Sequence, residues 1–85
     1  MLLNDTMIQV RNLLSEKMFM EVDSPATDLL DTGLLDSLAL IQLLVQLEQK
    51  FGVRIALDEI EIEDLRSISS IAALVVRRQP ELAQK

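Results

Sequence analysis

The sequence predicts a small all-α bundle of three long helices and one short one. Three observations predict it. Apolar residues recur at helical spacing in three separate stretches. The apolar residues are Leu, Ile, Val and Met, with Phe19 and Phe51 the only aromatics. Gly, Pro and Asp-Ser punctuation falls between the stretches, where helices stop and start. A chain of 85 residues has room for one domain and one small core, expected at about residues 5–79 with a frayed tail at 80–85.

Asn4 or Asp5 is placed to cap a first helix that runs to about Met20. Met7, Val10, Leu14 and Met18 form its inner stripe, with Leu13 and Ile8 beside them. Gln9, Arg11, Asn12, Glu16 and Lys17 form its wet side. The methionines read as gap-fillers rather than cofactor ligands. Residues 21–36 then make a long connection. Its first part, residues 22–27, has turn chemistry and no period. Leu29, Leu30, Leu34 and Leu35 are too apolar for a free linker, and a loop of this length in so small a domain is usually ordered and functional. These leucines are expected to pin the loop to the bundle, some of them lining a cavity. Gly33 is expected to supply the positive φ that turns the chain into the second helix.

The second helix, residues 37–51, carries Leu40, Leu43, Leu44, Leu47 and Phe51 on one face. Burying each contributes roughly 1.5–3 kcal/mol before the cost in entropy. Leu38, Ile41 and Val45 form a second apolar stripe, well round the helix from the first. Either the loop or the third helix covers that stripe, or it is a docking surface beside Ser37. Gly52 ends the helix in the usual C-terminal position. Residues 53–57 alternate weakly, as a strand would, but have no second strand to pair with and read as an extended connector. Asp58 caps a short helix to about Asp64, with Ile60 and Ile62 turned inward. Its carboxylates lack the spacing and Gly of a Ca²⁺ loop and read as a solvated face. Ser67 caps a last helix over residues 68–78. Ile68, Ile71, Ala72 and Leu74 or Val75 line its inner face, Arg77 and Arg78 suit its negative C-terminal end, and Pro80 stops it.

A net charge of −6 argues against nucleic acid and anionic membrane surfaces, and favours partners with basic patches. The chain has no Cys and no His, so disulfides, thiolate chemistry and the commonest general base are excluded. No signal peptide is apparent and no apolar run approaches the ~20 residues of a membrane span, so the expected compartment is the cytoplasm. An enzyme is not indicated. No acid–base pair is implied by spacing, there is no Gly-rich phosphate loop, and Ser37 has no sequence-evident base to activate it.

The most informative stretch is Gly33-Leu34-Leu35-Asp36-Ser37-Leu38. A turn ends at Asp36, and Ser37 falls in the first turn of the second helix, facing outward. Unpaired N–H groups and the positive end of the helix dipole converge at such a terminus, and a phosphate attached there is favoured. The plainer reading is that Asp36 or Ser37 only caps the helix.

Asp36-Ser37-Leu38, after a Gly-containing loop and before an apolar helix, resembles the attachment site of acyl and peptidyl carrier proteins. The similarity runs from Thr27-Asp28-Leu29-Leu30 through Ala73-Leu74-Val75. It implies a four-helix acyl-carrier-like bundle in which Ser37 takes up 4′-phosphopantetheine from coenzyme A, flanked by Asp36 and Leu38. It implies a cargo held as a thioester on that arm and a separate Mg²⁺-dependent phosphopantetheinyl transferase that activates the hydroxyl. Fatty-acid carriers usually place one residue between the Gly and the Asp-Ser; here there are two, Leu34 and Leu35. Gly-Leu-Leu-Asp-Ser looks more like D-alanyl carrier proteins and other free-standing carriers that serve amino-acid-activating ligases.

In carriers of the family it resembles, the second helix meets the partner enzymes, and the resemblance assigns that surface to Leu38, Ile41, Gln42, Val45, Glu48 and Ile60. Where fatty-acid carriers have an acidic stripe, this chain has Ala39, Gln42 and Gln49, with only Glu48 charged and Lys50 following. Recognition is therefore expected to be more apolar. The implied partners of a monomeric carrier are the transferase, an adenylate-forming acyl or aminoacyl ligase, and downstream acyl-processing enzymes. The implied setting is a secondary-metabolite, nonribosomal-peptide-like or D-alanylation-like pathway. The competing class is a non-catalytic helical adaptor or dimerisation module with no prosthetic group. It explains the second apolar stripe and the acidity, but not Ser37 in that motif.

Overall fold

A computed structural model describes residues 3–78, apart from the Leu57 side chain. Its elements are α1 (Leu3–Met18), α2 (Ser37–Phe51) and α3 (Ile68–Arg78), with two 3-10 turns, Leu57–Glu59 and Ile62–Leu65, between α2 and α3. Among the described residues the fold is all-helical and has no strand. The expected short fourth helix is absent. The carboxylate of Asp64 folds back to accept the Glu61 N–H at 3.0 Å, and Ile60 is extended, with ψ 161. These local bonds divide the acidic segment into two tight turns. Of its two isoleucines only Ile60 packs on the core; Ile62 faces solvent.

α1 packs chiefly on α3 and also on α2. Val10, Leu13 and Leu14 of α1 meet Leu43, Leu44 and Leu47 of α2 and Ile68, Ile71, Ala72, Leu74 and Val75 of α3 in one core. Met7, Met18, Leu40 and Phe51 pack at its margin. The apolar face of α1 is narrower than its spacing suggests. Ile8 is exposed, while the polar Thr6 is fully buried. Asn4 and Asp5 lie inside the helix rather than capping it. α3 begins as expected: Ser70 N–H donates to Ser67 Oγ and Ser67 N–H to Ser70 Oγ, a reciprocal cap. Pro80 and the tail at 80–85 lie outside the described residues.

α1 stops two residues before Met20, and the stop comes from an unexpected residue. Phe19 adopts φ 57, the left-handed conformation that helix ends normally give to Gly. Met20 N–H then reaches back to the Leu14 carbonyl at 2.9 Å, which closes the helix end. Phe19 is 88% exposed, so it gains almost no burial there. Phe19→Gly removes the left-handed strain without emptying the core. It is expected to leave stability unchanged or raise it by about 1 kcal/mol, read from the midpoint of urea unfolding.

The long connection is pinned as expected by Leu29 and Leu35, both buried, with Leu30 half-buried on the core. Leu34 does not pin; it is exposed. Gly33 has φ 77 and Gly52 has φ 69, the turn into α2 and the cap that ends it. Residues 53–56 are the extended connector, with Val53 and Ile55 buried and Arg54 outside.

Candidate functional site

The start of α2 separates the two roles that sequence alone leaves open. Asp36 is the cap: its Oδ1 accepts the Ala39 N–H at 2.8 Å, and its carbonyl accepts the Leu40 N–H at 2.8 Å. Ser37 is the first residue inside the helix and is exposed. With the capping role taken by Asp36, the Ser37 hydroxyl has no hydrogen-bond partner among the described residues. The chain's other serines are engaged. Ser15 Oγ donates to Glu21, Ser24 Oγ accepts from Ala26, Ser69 Oγ meets the Met7 sulfur, and Ser67 and Ser70 bond each other. A free hydroxyl at the positive end of a helix suits a covalently attached phosphate, since the dipole and the open N–H groups stabilise negative charge.

The loop that delivers Ser37 is held by a clasp that no sequence spacing announces. Asp28 Oδ1 accepts the Leu30 and Asp31 N–H groups at 3.1 and 2.9 Å, shaping a turn. Asp28 Oδ2 meets Arg66 Nη1 at 2.9 Å. Arg66 is gripped on its other edge by Glu63, Nε to Oε1 at 2.8 Å and Nη2 to Oε2 at 3.1 Å. The Arg66 carbonyl accepts the Leu29 N–H, and the Leu29 carbonyl accepts the Leu35 N–H.

The Asp31 N–H, then the Arg66 guanidinium, hold the Asp28 carboxyl below its usual range. A lowered folded value adds stability above the unfolded pKa, and that stability is lost as pH falls through the folded value. The clasp therefore holds at mildly acidic pH. Thermal melts from about pH 6 to about pH 3 are expected to fall less steeply for Asp28→Asn than for wild type, with the difference concentrated below about pH 4.

The second stripe of α2 lies open to solvent. Leu38, Ile41 and Val45 are 66%, 49% and 44% exposed, so neither the loop nor α3 covers them. Ser37 and Ile41 are one turn apart on the same face. A shallow groove of about 360 Å³ lies alongside, lined by Ile41, Gln42, Val45 and Gln46 of α2 and Lys17 and Met18 of α1. The spacing of Met18 pointed to the core; its edge position also puts it in this groove. Two of the expected surface residues lie elsewhere. Glu48 is half-buried, and its Oε2 accepts the Ile55 N–H at 2.9 Å, tying the connector to α2. Ile60 is half-buried and lines a separate cleft of about 240 Å³ with Leu40, Ile62 and Leu65.

Residues 9–75 match the family model described as "Phosphopantetheine attachment site". The chain belongs to that family. It is an acyl or aminoacyl carrier whose prosthetic group, 4′-phosphopantetheine, is attached covalently through a serine. Carriers of this family are not themselves catalysts. The chain is 36% identical over 58 residues to the D-alanyl carrier protein of Streptococcus sanguinis, covering 66% of this chain and 73% of that one. It is 36% identical over 63 residues to the D-alanyl carrier protein of Streptococcus suis, covering 72% and 80% respectively. No helix among the described residues is long and apolar enough to cross a membrane.

Proposed function

We propose that Ser37 carries the 4′-phosphopantetheine arm, and that this carrier shuttles an amino acid activated by an adenylate-forming ligase, as in D-alanylation. The observation that carries the assignment is the free, exposed Ser37 hydroxyl at the start of α2, beside a cap already made by Asp36. The amino-acid cargo rests on Gly33-Leu34-Leu35-Asp36-Ser37 and on the similarity to D-alanyl carrier proteins.

When bound, the arm supplies a thiol that holds the cargo as a thioester. The rest is done by this chain's residues. Ser37 presents its oxygen on a rigid helix, and the open N–H groups of the first turn stabilise the phosphate charge. Asp36 directs its carboxylate at Ala39, which keeps the terminus wound. Nothing among the described residues is hydrogen-bonded to Ser37 to take its proton, so that task falls to a phosphopantetheinyl transferase. Tethering then replaces a bimolecular encounter with a high effective concentration at each partner. In this reading residues 1–85 act as one monomeric carrier domain in the cytoplasm. Leu38, Ile41, Gln42 and Val45 form the partner surface, while Glu48, tied to the Ile55 N–H, and Ile60, in its own cleft, stand outside it.

The test has two stages. Incubation with coenzyme A and a broad-specificity phosphopantetheinyl transferase is expected to add one phosphopantetheine to the intact mass. The loaded protein, given ATP, D-alanine and a D-alanine-activating ligase, is expected to gain one alanyl group that hydroxylamine removes. No mass gain with several transferases would count against the site. Loading of the arm but not of any amino acid would count against the cargo.

A further inference from the structure

The clasp between the serine-bearing loop and the corner before α3 has no part in the attachment chemistry, yet it ties that loop to a distant part of the chain through side chains, close to where the Ser69 N–H meets the Pro25 carbonyl. Asp28 and Arg66 are 38 positions apart in sequence and 2.9 Å apart in space. Arg66 presents all of its guanidinium: one edge to Glu63, which fixes it, and Nη1 to Asp28. From Asp28 the connection is short. Leu29 takes the Arg66 carbonyl through its N–H and gives its own carbonyl to the Leu35 N–H. Leu35 is buried and directly precedes Asp36 and Ser37.

We propose that Arg66 is a positioning residue for attachment of the arm: braced by Glu63, it holds residues 28–35 in the one conformation that presents Ser37 to the transferase. The inference rests on the assignment of Ser37 as the attachment site. Arg66 touches neither Ser37 nor the reacting atoms, so its effect is on a population. A carrier whose loop is competent only part of the time binds its transferase more weakly by that fraction, while turnover within the complex is unchanged. The Arg66 side chain is 36% exposed and that of Asp28 is 32% exposed. A pair so partly exposed contributes modestly. The Leu29 N–H to Arg66 carbonyl bond is made by backbone, so a side-chain change does not delete it, although a looser loop opens it more often. Loss of the clasp therefore loosens the loop without unfolding the bundle.

The experiment is steady-state transfer from coenzyme A by a broad-specificity phosphopantetheinyl transferase, run well below each variant's melting midpoint. Arg66→Met and Asp28→Asn are each expected to raise KM for the carrier about three- to fivefold with kcat within error of wild type, as befits a partly exposed pair. The double variant is expected to be no worse than Arg66→Met, because both remove the same contact. Arg66→Lys, which keeps the charge but not the fork, is expected to fall between wild type and Arg66→Met. Hydrogen exchange is expected to speed up at the Leu29 and Leu35 amides and to stay unchanged in α1 and α3. A merely stabilising contact would lower the melting temperature and leave KM alone. That result, or additive effects in the double variant, overturns the proposal. Asp28→Asn keeps the test decisive if Arg66→Met does not fold. Failure of the attachment assignment is read separately: it shows as a wild-type chain that is not modified, or as Ser37→Ala that is.

Discussion

Ser37→Ala is expected to abolish attachment completely while leaving the fold intact. The hydroxyl makes no hydrogen bond among the described residues, so its removal strands no partner. Ala is a good residue in the first turn of a helix, and the cap is supplied by Asp36. The circular dichroism spectrum and melting temperature of Ser37→Ala should match wild type. The intact mass should stay unchanged after incubation with coenzyme A and transferase, under conditions that convert wild type fully. Asp36→Ala is the informative contrast. It keeps the nucleophile but removes the acceptor of the Ala39 N–H, costing about 1 kcal/mol at the helix start. It should be modified more slowly rather than not at all. Attachment that persists in Ser37→Ala would move the site to another serine, and every other serine would first have to give up a hydrogen bond.

What the sequence made legible is what local rules control. The apolar period of α2, the left-handed glycines at 33 and 52, and the Ser67 cap are decided by residues within a turn of one another. The free hydroxyl of Ser37 was half legible. The sequence put a capping residue at both 36 and 37, and only the folded chain shows Asp36 taking the Ala39 N–H. Arg66 was illegible, because its partner Asp28 is 38 positions away and no spacing rule joins them. Glu48 looked like the survivor of an acidic stripe. Its tie to the Ile55 N–H comes from the way the connector folds back along α2. The short acidic segment read as a helix because a capping residue preceded apolar positions. The sequence could not show that the Asp64 carboxylate would bond the Glu61 N–H and split it. Phe19 broke a rule outright, since a bulky residue at positive φ is not something propensity anticipates.

The open stripe on α2 leads to the last expected result: Ile41→Asp and Val45→Asp will slow loading by the cognate ligase at least tenfold while lowering the melting temperature only slightly. Both side chains are close to half exposed, so a carboxylate there stays hydrated in the free carrier and leaves no cavity. In a complex the same carboxylate must be stripped of water against an apolar surface with no partner to pair with, a cost of several kcal/mol. The stripe is short of charge of its own. Ala39, Gln42 and Gln49 surround it, and Glu48 is turned to the Ile55 N–H. Raising salt should therefore change the wild-type loading rate less than either substitution does, because salt screens only the electrostatic part of recognition. The measurement is the loading rate of the phosphopantetheinylated chain and its variants across a salt series, with circular dichroism to check folding. A steep salt dependence with little response to Ile41 or Val45 would move recognition to the acidic loop and to residues 58–64. Loss of the fold in both variants would show that the stripe packs as core in solution. Met18, half-buried in the groove beside Ile41 and Val45, extends the comparison to α1. If partners fill that groove, Met18→Asp should slow loading as well, although its side chain lies on another helix.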